Sequence, residues 1–228
     1  MLLQLVYLKA MNPSGSLSAT TRTIFGALIV SLALLVLVGA WTIPFAFESF
    51  SILYKFGIEK IYLRSGKVIG ITIVVLVCYQ VVLASRFSIV EQVFSPGRLL
   101  AMHRSNGMLI ACLVCLHPLL IKASENFTPY TFEKKYYPEF LGMGLFVIIL
   151  VLSATAIFRR LLKMPYPAWL LLHRLGATLT IVILPAHVLW VSETFKSGLP
   201  RSAALVMFTL AFLLILRIWL QRLSTKMK

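Results

Sequence analysis

The chain reads as an all-α integral membrane protein, six transmembrane helices in one bundle, and three observations lead to that fold class. Its 228 residues are 60% hydrophobic and only 13% charged, with a mean hydropathy of +0.92, which is more apolar surface than a soluble domain of this size can bury. The length accommodates about six spans of ~20 residues with short connections. The apolar residues are gathered into runs of spanning length, and all four histidines, His103, His117, His173 and His187, lie inside two of those runs.

Taken in order, residues 1–23 open with MLLQLVYL, too short to span, followed by the turn-rich MNPSGS. They are expected to form an uncleaved N-terminal segment, cytoplasmic or interfacial. The six-helix domain is expected over 24–220. Its first span runs from about Ile24 to Phe45 and ends among aromatic residues (Trp41, Phe45, Phe47, Phe50, Tyr54) of the kind that settle at headgroup level. A charged connection follows, and the second span covers Val68 to Ser85, closed by Arg86. The stretch RFSIVEQVFSPGR reads as a loop that Pro96 and Gly97 keep out of the helix. The third span, Leu99 to Ile121, carries the first histidine pair. A polar, aromatic connection leads to the fourth span, Leu141 to Phe158, which stops at Arg159, Arg160 and Lys163. After Pro165 and Pro167 the fifth span, Ala168 to Val191, carries the second pair. The sixth, Ala203 to Leu220, runs into a short cytoplasmic tail, 221–228.

The formal charge of +15 could suggest nucleic acid. The basic residues, however, lie between hydrophobic runs, where lysine and arginine flank membrane spans, so no nucleic-acid partner is expected and the lipid bilayer is. With the N-terminus inside, the cytoplasmic segments hold 13 basic residues and one acid, Glu91, whereas the other side holds nine basic residues and six glutamates. The positive-inside rule therefore places both termini in the cytoplasm of a multi-pass protein of the plasma or inner membrane. Cys78, Cys112 and Cys115 all fall in apolar runs and read as packing residues rather than as a disulfide or zinc framework.

Each histidine pair is separated by fourteen positions. Fourteen helical residues rise about 21 Å and turn about 1400°, close to four full turns. Both histidines of a pair thus face one side of their helix, at opposite depths. On parallel third and fifth spans, His103 meets His173 towards the cytoplasm, and His117 meets His187 towards the outer face. Two neutral imidazoles are good axial ligands for haem iron and leave no open position, which suits electron transfer. The reading is two stacked haems between helices 3 and 5, with their edges within tunnelling reach. Gly107 and Gly176, one turn deeper on the ligand face, are expected to give the macrocycle room. Arg104 and Arg174 are expected to pair with the propionates of the inner haem, and Arg64 with those of the outer.

These residues also carry a resemblance. LASR at 83–86, RLLAMHR at 98–104, HRSNG at 103–107, HP at 117–118 and HRLG at 173–176 resemble the ferric reductase-like transmembrane domain shared by ferric reductases and NADPH oxidases, over about residues 24–220. The resemblance implies an oxidoreductase component with two haem b groups. Electrons would pass from cytoplasmic NAD(P)H through FAD to an outer acceptor, which could be oxygen, ferric iron or a protein. No G-x-G-x-x-G loop or α/β pattern is present to bind flavin or nicotinamide, so FAD and NAD(P)H are expected only through a flavin dehydrogenase partner or a missing domain. The alternatives are a quinol-linked cytochrome b subunit, a haem subunit feeding a periplasmic repair reductase, and a non-enzymatic haem-binding protein.

Overall fold

In the computed structural model, residues 17–48, 55–85 and 87–226 are described. Phe50, Tyr54, Arg86 and most of the N-terminal segment therefore lie outside the described residues. Among the described residues seven α-helices follow in order: α1 Ala19–Ala46, α2 Gly57–Ala84, the short α3 Ser88–Val93, α4 Pro96–Ser124, α5 Tyr137–Phe158, α6 Tyr166–Val191 and α7 Gly198–Lys226. All but α3 are long and apolar enough to cross a membrane, and the protein is a multi-pass membrane protein.

The spans fall where hydropathy put them, but the helices run further. The largest extension is at α2, which begins at Gly57 instead of Val68. Its charged first turns are a helix end projecting beyond the apolar window rather than a connection. Glu59 lies in the first turn, where a carboxylate complements the helix dipole. Glu48 bridges Lys60 at 3.1 Å and Arg64 at 2.6 Å. The stretch expected as a loop also differs, because SIVEQV forms α3. Val93 of that helix is buried and reaches Gly26 of α1, where an added Cβ would lie 3.4 Å from Val93 Cγ1. Pro96 does not hold the chain out of the next helix but opens it. Ser95 caps α4, its hydroxyl accepting from Arg98 N at 3.4 Å, and proline in the first turn forfeits no helical hydrogen bond.

The most extensive packing joins α2 to α4 and α5 to α6, and α4–α5, α6–α7 and α7–α2 contacts close these into a ring. α1 leans on α2 from outside. The core cluster runs through all five ring helices, for example Val77, Ile110, Ile149, Leu184 and Phe208. Polar ties cross the apolar contacts. Trp41 Nε1 donates to Thr72 Oγ1 at 2.8 Å, Trp219 Nε1 donates to Thr178 Oγ1 at 3.0 Å, and the Tyr79 hydroxyl donates to the Ala33 carbonyl. Cys78 is buried, Cys112 and Cys115 are exposed, and all three are free thiols. The two histidine-bearing helices, α4 and α6, are not among the closely packed pairs. Their backbones stand further apart than those of the packed pairs.

Candidate functional site: two levels of paired histidines

That separation is bridged by the histidines, like end to like end. The His103 and His173 rings have centroids 6.2 Å apart with planes at 63°, and His117 and His187 lie fourteen positions further along the same two helices. Between the two levels the same helix faces carry the buried Ile110, Val114, Thr180 and Leu184. A metal–imidazole bond is about 2 Å and the ring nitrogen sits about 1 Å from its centroid, so one metal between two axial imidazoles needs centroids about 6 Å apart. The His103–His173 centroid spacing is compatible with that separation. Among the described residues, no group of three or more His, Cys, Asp or Glu side chains is gathered.

The two levels are held differently. At one, His117 Nδ1 lies 2.9 Å from the Gly66 carbonyl of α2, and His187 Nδ1 lies 2.8 Å from the Pro138 carbonyl of α5. A carbonyl only accepts, so both Nδ1 atoms carry the proton and each neutral ring leaves Nε2 with a lone pair for a ligand. At the other level, His103 Nδ1 and His173 Nδ1 are buried with no protein partner. There the backbone is tied instead. Gln80 Nε2 of α2 donates to the His103 carbonyl at 2.8 Å, and Asn106 Nδ2 donates to Gln80 Oε1 at 2.8 Å and to the Leu76 carbonyl at 2.9 Å. The Trp169 ring lies 5.4 Å from His173, tilted by 32°.

The other expected site residues divide. Arg174, next to His173 in the chain, has a buried Nε with no protein partner, a donor that suits an anionic ligand group. Arg104 is exposed. Arg64 is engaged by Glu48 and lies 5.5 Å from the centre of the Phe45 ring. Gly176 departs from the expectation of cofactor room. A Cβ there would meet Leu152 Cδ2 of α5 at 2.7 Å, so Leu152 takes up the space and the glycine is a helix-packing notch. At Gly107 a Cβ would approach only the Gln80 amide, at 3.0 Å, and the rest of its surroundings are open.

Sequence reasoning did not single out Gly66, Gly70, Pro138 and Gly142, nor Gln80 and Asn106. The polar pair could have been suspected, since amides inside apolar runs need partners. The glycines could not, because their importance depends on which helix neighbours which. Beyond the His117–His187 level, Lys122 lies in the last turn of α4 with its Nζ 3.4 Å from the centre of the Tyr130 ring and 3.3 Å from Glu125 Oε2. Burial, and then the charge of Glu125, push the Tyr130 phenol above its ordinary range.

Six helices of spanning length with histidines paired between α4 and α6 define a multi-pass membrane protein with a candidate site inside its bundle. The family model for the ferric reductase like transmembrane component matches residues 69–184, just over half of the chain, and the protein belongs to that family. Membership makes it an oxidoreductase component. The matched stretch contains α4 and α5 entirely and all of α6 through Leu184, so His187 lies just past its end. Searches of curated proteins and of solved structures found no match.

Proposed function

We propose that the protein carries electrons across the membrane through two haem b groups, one held by His103 and His173 and the other by His117 and His187. The observation that carries this reading is the 6.2 Å separation of the His103 and His173 rings between helices that do not otherwise pack closely. Bound between such rings, haem supplies reversible one-electron chemistry with no open coordination site. The protein's residues do the rest. α2 and α5 present the His117 and His187 Nε2 atoms through the Gly66 and Pro138 carbonyls. The Gln80–Asn106 knot fixes the backbone of His103. The orphan Arg174 Nε, with Arg104 beside His103, would hold carboxylates of the nearer group. Ile110, Val114 and Leu184 exclude water between the levels, which keeps the path dry and the groups low in reorganisation.

In this reading the His103–His173 level and both termini face the cytoplasm of a plasma or inner membrane, which the excess of basic residues on that side supports. Electrons then enter there from a flavin dehydrogenase, as a partner subunit or a further domain supplying FAD and NAD(P)H. They leave beyond His117 and His187 to a small molecule or protein. The test is purification with intact lipid and reduction by dithionite, with two b-type haems expected per chain. One haem or none overturns the proposal. Reduction by a quinol without any flavoprotein would keep the haems and overturn the assigned donor.

A further inference from the structure

The two histidines of the His117–His187 level are held by one device built twice, from different helices. On α2 the Gly66 carbonyl accepts from His117 Nδ1 at 2.9 Å. Four residues on, Gly70 turns a bare Cα to the same ring, where a Cβ would lie 2.8 Å from Cε1 and 3.1 Å from Nδ1. On α5 the Pro138 carbonyl accepts from His187 Nδ1 at 2.8 Å. Four residues on, a Cβ at Gly142 would lie 2.5 Å from Cε1 and 3.0 Å from Nδ1. Residues four apart share a helix face about one turn apart, so each helix offers a carbonyl and, one turn along, a gap in which the imidazole edge sits. Any side chain at Gly70 or Gly142 must push the ring away from its carbonyl. The other level has neither part of this device. The Nδ1 atoms of His103 and His173 have no protein partner, and the glycines there face Gln80 and Leu152 rather than a ring.

We propose that Gly66 with Gly70, and Pro138 with Gly142, are twin cradles that set the tautomer, rotation and donor strength of His117 and His187, and so tune the redox group of this level independently of the other. The inference rests on the haem-ligation reading above. The physical route is direct. Donation of Nδ1–H to a carbonyl shifts charge into the imidazole and makes Nε2 a stronger donor, which favours oxidised iron and lowers its potential. Holding the ring edge in the glycine gap fixes its rotation about the metal–nitrogen axis, on which the low-spin electron paramagnetic resonance signal depends.

The experiment compares the full chain with Gly70→Ala, Gly142→Ala and, as a control on α5, Gly144→Ala, whose Cβ would meet nothing within 4 Å. Haem content, redox titration and low-temperature electron paramagnetic resonance are read for each. Each cradle variant should raise the potential of one of the two components and change its low-spin signal, leaving the other component and the Gly144→Ala protein as in the wild type. Loss of one haem per chain with the second unaltered supports the same conclusion. Two haems with both potentials and both signals unchanged overturn the cradles while the ligation reading stands, whereas a wild type without haem overturns both. If the alanine variants do not accumulate, a His117→Gly protein refilled with imidazole or 1-methylimidazole answers the same question. Imidazole can donate to the Gly66 carbonyl and 1-methylimidazole cannot, so the potential should be higher with the latter. Equal potentials overturn the proposal.

Discussion

Gln80 of α2 donates through Nε2 to the backbone carbonyl of His103 on α4, at 2.8 Å. That carbonyl belongs to the histidine paired with His173 of α6, so a side chain on the neighbouring helix fixes where the imidazole begins. Asn106 closes the knot by donating to Gln80 Oε1 and to the Leu76 carbonyl. Gln80→Leu should destabilise the protein by about 1 kcal/mol, the scale of a net hydrogen bond and of interhelical polar contacts in membranes. Asn106→Leu should cost at least as much, because it removes two donated bonds. The double variant should cost less than the sum, since the two residues share a bond. Thermal unfolding in detergent measures all three, and additive losses would show that no knot exists.

Gly176 and Leu152 give a second prediction. A methyl at residue 176 would meet Leu152 Cδ2 at 2.7 Å, and overpacking a fitted contact costs typically 1–3 kcal/mol. Gly176→Ala should therefore lower the unfolding temperature, and Leu152→Ala in the same chain should recover part of the loss. If Leu152→Ala deepens the loss instead, the contact is not what makes glycine necessary.

The fold was largely legible in the sequence, for a physical reason. A bilayer demands long apolar helices, so hydropathy alone locates all six, and fourteen-residue spacing aligns His103 with His117 and His173 with His187. Helix ends were less legible. Charge was taken to stop a span, yet Glu59, Lys60 and Arg64 continue α2, because a helix satisfies its own backbone hydrogen bonds as well outside the apolar layer as inside. α3 was missed because its six residues carry no spanning signal and are held by Val93 packing at Gly26. Pairwise facts were least legible. Gly70 and Gly142 read as ordinary helix glycines until α2 lies against α4 and α5 against α6, and Gly176, which resembles them in sequence, turns out to face Leu152.

Tyr130 gives a pH dependence outside the spans. Burial and the Glu125 carboxylate hold its phenol above the ordinary range in the folded protein, so folding favours the neutral form. The corresponding stability is fully present below the unfolded phenol's pKa of about 10 and is lost as pH rises through the folded value. The 125–136 connection should loosen only in strongly alkaline solution, and ultraviolet difference titration against Tyr130→Phe should assign one late-ionising phenol to this residue. A Tyr130 phenol that ionises in the ordinary tyrosine range would contradict it.

The histidine levels predict a pattern of non-additivity. On the proposed ligation each level would hold one haem through two imidazoles, so His117→Ala should cost the haem of that level nearly as completely as His117→Ala with His187→Ala. His103→Ala should do the same at its own level. The two levels are separated by about 21 Å of helix and are braced by different contacts, the Gly66 and Pro138 carbonyls at one and the Gln80 tie at the other. His103→Ala with His117→Ala should therefore lose both haems, while the same-level double loses one. Haem per chain from the pyridine haemochrome spectrum, read across these four variants, separates two bis-histidine sites from any alternative. If the same-level double lost both haems, the ligands would instead be crossed between levels, one histidine of each level serving each haem.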